Sequence, residues 1–102
     1  MEYLFSYGTL QDLQVQEHVF GRLLTGKPNA ALGFKKLENA VYGRYPLVVN
    51  TKNPEDKAAG MAYGVNDADL EKADIYETST YKREKFPLES GDEAWIYIEN
   101  SN

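Results

Sequence analysis

The chain has no cysteine and a single histidine, His18. The first absence excludes thiol nucleophiles, disulfide frameworks and cysteine-based zinc sites. The second excludes a multi-histidine metal site within one chain. Positive charge is scarce as well: 11 Lys and Arg stand against 16 Asp and Glu, for a net charge of −5. Nucleic-acid affinity comes mainly from clustered cations, so that partner is disfavoured. The short basic runs, Lys35-Lys36 and Lys82-Arg83-Glu84-Lys85, are surrounded or interrupted by acids and have the pattern of solvated faces. No apolar stretch approaches the ~18 residues that cross a bilayer. Met1-Glu2 opens onto only a brief apolar run, without the basic and long apolar segments of a secretory signal. A soluble, cytoplasmic protein without a membrane partner is expected.

What the chain does have is rings. Eight tyrosines, four phenylalanines and Trp95 fall within 102 residues, so the core is expected to be built from large aromatic side chains. The length suits one domain, residues 1–102, burying roughly 60–70% of the surface of the unfolded chain.

From Glu2 to Tyr7, Tyr3, Phe5 and Tyr7 alternate with Leu4 and Ser6. Both faces are largely apolar, as in an interior strand. Gly8 stops it, and Thr9 to Asp12 form a turn. Leu13, Val15, Val19, Phe20, Leu23 and Leu24 then mark a short amphipathic helix whose end Gly21 leaves ambiguous. His18 sits on this helix as an ordinary helix-surface histidine. Thr25 to Asn29 has the composition of a loop. Short strands are expected at Leu32 to Leu37, Ala40 to Tyr42 and Leu47 to Asn50. Ala58 to Val65 is a clear strand with Ala59, Met61, Tyr63 and Val65 on one face and only Ala58, Gly60, Ala62 and Gly64 on the other. A face so poor in side chains marks either close approach of another backbone or a ligand cavity. Asn66 or Asp67 caps a helix to about Glu77, with Asp69 in its first turn. Strands follow at Tyr81 to Leu88 and Glu93 to Glu99, joined at Ser90-Gly91-Asp92, and Asn100 to Asn102 is a polar tail. The sum is an α+β protein whose sheet curls into a small mixed barrel, removing its edges, flanked by short helices.

Two segments carry the candidate chemistry. The inward stripe of the second helix passes through Leu70, Ala73 and Glu77. A carboxylate aimed inward loses hydration and must be hydrogen-bonded, protonated or paired. Glu77 is therefore either a base of raised pKa, or a residue at a frayed end that pairs with Lys82 or Arg83. Asp74 has the position of a structural residue holding a turn or a tyrosine, and Arg83 that of an exposed strand charge. The second segment is Tyr7-Gly8-Thr9-Leu10, where glycine frees the backbone and the following amides can converge on a carboxylate or an oxyanion. Tyr7 and Tyr81 either line that pocket or belong to the core.

In order and spacing, the chain resembles the γ-glutamylcyclotransferase-like family, in its AIG2-like and γ-glutamylamine cyclotransferase branch. The resemblance is carried by Tyr3-Leu4-Phe5-Ser6-Tyr7-Gly8-Thr9-Leu10, Leu24-Thr25-Gly26 leading to Leu32-Gly33-Phe34, and Tyr45-Pro46-Leu47-Val48. It continues through Gly60-Met61-Ala62-Tyr63 and ends with Asp74, Glu77, Tyr81 and Arg83. It implies a small mixed barrel flanked by helices and the release of 5-oxoproline from γ-glutamyl compounds without a cofactor. It also implies Glu77 as the catalytic acid/base, and Tyr7, Gly8, Thr9, Leu10 and Tyr81 around a small γ-glutamyl substrate. Many relatives carry Gly after the catalytic Glu where this chain has Thr78, which leaves the shape of the following loop and the substrate preference open. The alternative is a non-catalytic small-molecule-binding or interaction module on the same fold. Neither oligomeric state nor the leaving amine is legible.

Overall fold

The computed structural model describes residues 2–100, so the last two residues of the expected polar tail lie outside the described residues. Among the described residues the strands are β1 (Glu2–Ser6), β2 (Gly26–Leu32), β3 (Phe34–Val41), β4 (Tyr45–Asn50), β5 (Lys57–Val65), β6 (Tyr81–Pro87) and β7 (Glu93–Glu99). The α-helices are α1 (Leu13–Phe20) and α2 (Asp67–Glu77), with single 3-10 turns at Thr9–Gln11 and Thr78–Thr80.

Five strands form one mixed sheet in the order β2-β5-β1-β7-β6, and β3 pairs with β4 in a separate hairpin. β1 lies at the centre, antiparallel to β5 and parallel to β7. Its alternating side chains feed two cores. Leu4 packs with Tyr63, Val65 and Tyr97 against Leu10, Phe20 and Leu24 and against Leu70 and Ala73 of α2. Phe5 and Tyr7 pack with Ala31, Ala58 and Ile96 against Phe34 and Val48 of the hairpin. Helices thus cover one face of the sheet and the hairpin the other, so both faces of β1 are apolar because both are buried.

The expected α+β fold holds, with a mixed sheet and two helices, and among the described residues the sheet and the hairpin are not joined by continuous strand pairing. The outer edges approach where Ala31 bridges to Leu88, the Glu89 amide donates to the Ala30 carbonyl at 2.9 Å and Asn29 hydrogen-bonds Ser90. Three boundaries also differ from expectation. Thr25 to Asn29 is largely strand, because β2 pairs with β5 from Gly26↔Tyr63 onward. Pro28 is tolerated there because β2 lies at the sheet's edge. α1 ends at Phe20, where Gly21 turns left-handed at φ 73°. The two short strands expected between Leu32 and Tyr42 are one strand, β3, whose register shifts between Leu37 and Val41.

The small-residue face of β5 is partly explained by backbone approach. A Cβ on Gly60 would stand 2.3 Å from the Ser6 carbonyl oxygen and 2.8 Å from Phe5 Cζ. Ala62 and Gly64 instead border a cavity of about 570 Å³, away from the candidate active site.

Candidate active site

β1 runs out at Ser6 and delivers Tyr7 and Gly8 to the rim of a cavity of about 260 Å³. Gly8 does not take a positive φ; it sits at −140°. Space is tight there: an added Cβ would stand 3.2 Å from Pro46 Cγ. The Gly8 carbonyl accepts from the Gln11 amide at 3.1 Å and the Thr9 carbonyl from Asp12 at 3.0 Å. The amides of Thr9 and Leu10, at the start of this turn, find no acceptor among the described residues. They are the orphan donors that any such turn leaves.

Behind this turn stands Gln16, which is fully buried. Its Nε2 donates to the Leu10 carbonyl at 2.8 Å, and its Oε1 accepts from the Leu24 amide at 2.9 Å. One side chain therefore bolts the loop after β1 to the segment that enters β2. The apolar spacing that marks α1 does not disclose it. The available signal was its spacing of four from Phe20, the other buried residue of that helix.

The cavity's other wall comes from α2, β6 and the hairpin. Asn66 caps α2 in a reciprocal box with Asp69, and Asp69 also pairs with Arg22. Leu70 and Ala73 are buried, and the same stripe brings Glu77 into the cavity lining. Burial alone pushes the Glu77 carboxyl up to about 7. Among the described residues no hydrogen bond or ion pair reaches it: Lys82 pairs with Glu84, and Arg83 pairs with Asp74.

Tyr7, Gly8, Thr9, Leu10, Glu77 and Tyr81, separated by up to seventy-odd positions in the chain, all line this one cavity. With Tyr42, Tyr45, Tyr76 and Tyr97 completing the wall, six of the chain's eight tyrosines face Glu77's cavity. The tyrosines are thus concentrated around the site, while Phe20, Phe34 and Tyr63 are buried in the two cores. Burial raises the Tyr7 phenol well above its ordinary range, with Tyr81 and Glu77 adding to the effect. Burial also raises Tyr81, followed by the charge of Glu77. The phenols therefore remain protonated donors while Glu77 is the group that titrates. Tyr7 donates to the Tyr97 carbonyl at 2.5 Å, Tyr81 to the Pro46 carbonyl at 3.2 Å, and Thr9 Oγ1 shares a hydrogen bond with Tyr76 at 2.9 Å.

Arg83 is not an exposed strand charge. Its guanidinium binds both oxygens of Asp74 at 2.8 Å and lies 4.4 Å from the Trp95 ring centroid. Asp74 also accepts from the Tyr97 hydroxyl at 2.7 Å. The Arg83 hydrogen bonds, with Tyr97 adding, hold the Asp74 carboxyl below its usual range against the opposing effect of burial. Thr78 adopts φ 60° and ψ −167°, a region that is essentially glycine's. The departure at Thr78 therefore keeps a glycine-like backbone while carrying a β-branched side chain.

The family described as "Gamma-glutamyl cyclotransferase, AIG2-like" matches residues 4–102. The chain belongs to this family. No curated protein matches it in sequence. Solved structures similar to this γ-glutamyl cyclotransferase-like chain include At3g28950.1 from Arabidopsis thaliana, at 21% identity and TM-score 0.81, covering 97% of this chain and 62% of that one. A protein described as "Gamma-glutamyl cyclotransferase" is 15% identical with TM-score 0.72, covering 96% and 66%. An AIG2-like protein from Mus musculus is 19% identical with TM-score 0.69, covering 100% and 79%. At these identities the likeness is one of fold. The chain spans about three fifths of the length of the Arabidopsis protein.

Proposed function

We propose that the chain acts as a γ-glutamyl cyclotransferase-type enzyme, one domain that closes the γ-glutamyl moiety of a γ-glutamyl amide to 5-oxoproline and releases an amine. The observation that carries this reading is the shared cavity: its lining includes Glu77, whose carboxyl is pushed up to about 7, and Thr9 and Leu10, and neither that carboxyl nor those two amides have a hydrogen-bond partner among the described residues.

In such a substrate the α-amine and the γ-carbonyl belong to one molecule, so much of the proximity advantage is already built in. Glu77 takes a proton from the α-ammonium, and the freed nitrogen attacks the γ-carbonyl carbon. The oxygen becomes an oxyanion as the new C–N bond forms. Collapse of the tetrahedral intermediate breaks the bond to the leaving nitrogen, and Glu77 returns a proton to it. The attacking nitrogen loses two protons in becoming the lactam N–H, and the departing amine gains both, leaving as an ammonium. A carboxyl titrating near the working pH suits both directions of transfer. The amides of Thr9 and Leu10 bind the substrate carboxylate, the oxyanion, or both. Tyr7 and Tyr81 supply hydroxyls and flat walls around the folded γ-glutamyl chain.

The test is to incubate the protein with a panel of γ-glutamyl amines and γ-glutamyl amino acids and to measure 5-oxoproline. Release from at least one compound is the expected result. Binding without product from any of them would instead favour a non-catalytic module on this fold.

A further inference from the structure

We infer that Asp74 is a positioning residue: clamped by Arg83 and Tyr97, it fixes the last turn of α2 and thereby aims Glu77 into the cavity. The inference rests on the reading of Glu77 as the base, and it identifies what gives that base its direction.

Glu77 has no hydrogen-bond or ionic partner of its own among the described residues. Its orientation is therefore set by the helix that carries it. The apolar anchoring of α2 ends early, at Leu70 and Ala73; Ile75 is 78% exposed and Tyr76 is 37% exposed. What holds the last turn is mainly polar. Arg83 from β6 donates to both Asp74 oxygens, and Tyr97 from β7 donates to one of them. The helix is thus tied to two neighbouring strands at one residue. The face of Trp95 beneath the guanidinium restricts Arg83 in turn. A two-pronged guanidinium–carboxylate pair fixes direction as well as distance, unlike a point-charge contact.

Asp74 also acts through its backbone. Its carbonyl accepts from the Thr78 amide, closing the turn that contains Glu77. Asp74 lies three residues before Glu77, so the two share one side of the helix. Thr78 holds a backbone conformation that is strained for a non-glycine residue, so the helix end stays formed only if neighbouring contacts enforce it. The Asp74 clamp is placed to do so. Without it the last turn rolls or frays, and Glu77 gains water.

The experiment is a carboxyl-13C NMR titration of Glu77, assigned with Glu77→Gln, in the full chain and in Asp74→Ala, alongside kcat and KM across pH. In Asp74→Ala, Glu77 should titrate lower by about one pH unit or more, towards the ordinary carboxylate range. The kcat should fall about tenfold or more while KM changes less than about threefold. Asp74→Asn, which can still accept from Tyr97, should fall between the two. A folded Asp74→Ala whose Glu77 titration and kcat are unchanged overturns the inference. If Asp74→Ala does not fold, Tyr97→Phe removes one bond of the clamp and keeps the ring, and an unchanged titration there overturns it equally. A shifted titration in a protein that yields no 5-oxoproline from any γ-glutamyl compound supports the clamp and sinks the cyclotransferase reading.

Discussion

Replacing Glu77 by glutamine should make the protein more stable, and only above about pH 5. Burial pushes the Glu77 carboxyl from the ordinary 4.5 up to about 7. Between those values the folded state holds a proton that the unfolded chain has released, so stability falls as pH rises through the window. A gap of about 2.5 pH units at about 1.4 kcal/mol each corresponds to roughly 3 kcal/mol. Some water reaches this partly buried side chain, so about 2–3 kcal/mol is the working figure. Glutamine is always neutral and carries no such cost. Urea melts of parent and Glu77→Gln should therefore coincide near pH 4 and separate up to about pH 8. In thermal melts at the alkaline end the variant should unfold on the order of 10 °C higher. Other carboxyls, Asp74 among them, titrate in both proteins and cancel in the difference. A stability difference that does not change with pH would mean that the Glu77 carboxyl is fully hydrated. The same cost is what a poised base contributes to function, an exchange of stability for activity.

Gly60→Ala should destabilise by about 3 kcal/mol or more in urea melts, because its Cβ would collide with the backbone of β1; a loss under about 1 kcal/mol would show that the strands can separate freely. Gln16→Ala should cost about 2–4 kcal/mol by leaving the Leu10 carbonyl and the Leu24 amide unpaired and buried. Its hydrogen-exchange protection should drop at Leu24 first, and unchanged protection there would contradict the bridging role. Thr78→Gly should stabilise by about 1 kcal/mol, the relief at φ 60° outweighing glycine's unfolded-state entropy; destabilisation in the same melts would mean that the Thr78 contacts matter more than its backbone.

Much of this was legible in the sequence, for identifiable reasons. β1 was readable because Tyr3, Leu4, Phe5 and Tyr7 put apolar groups on both faces, a pattern that only an interior strand satisfies. α2 was readable because Asn66 or Asp67 suits an N-cap, Asp69 suits the first turn, and Leu70, Ala73 and Glu77 follow one stripe; the reciprocal box between Asn66 and Asp69 came from the structure. β2 was hidden, since Gly26, Lys27, Pro28 and Asn29 carry loop propensities and become strand only through pairing with β5. How the sheet edges approach each other was not legible, because nothing in residue pattern distinguishes full edge pairing from the contacts of Ala30 and Ala31 with Leu88 and Glu89. At the site, burial logic set Glu77 on the inward stripe of α2 and glycine set the end of β1, and the structure brings both to one cavity; their roles there are proposals. Arg83 was misassigned because strand alternation does not disclose that Asp74 and Trp95, nine positions before it and twelve after, would enclose it. The concentration of tyrosines around one cavity follows from topology, which gathers residues from β1, the hairpin, α2, β6 and β7.

The most direct check on the central claim is 5-oxoproline release by the parent chain and by Glu77→Gln, compared at the same pH on the best substrate of the panel. The account predicts a folded variant whose turnover is lower by about a hundredfold or more. A Gln variant that forms 5-oxoproline as fast as the parent would contradict it.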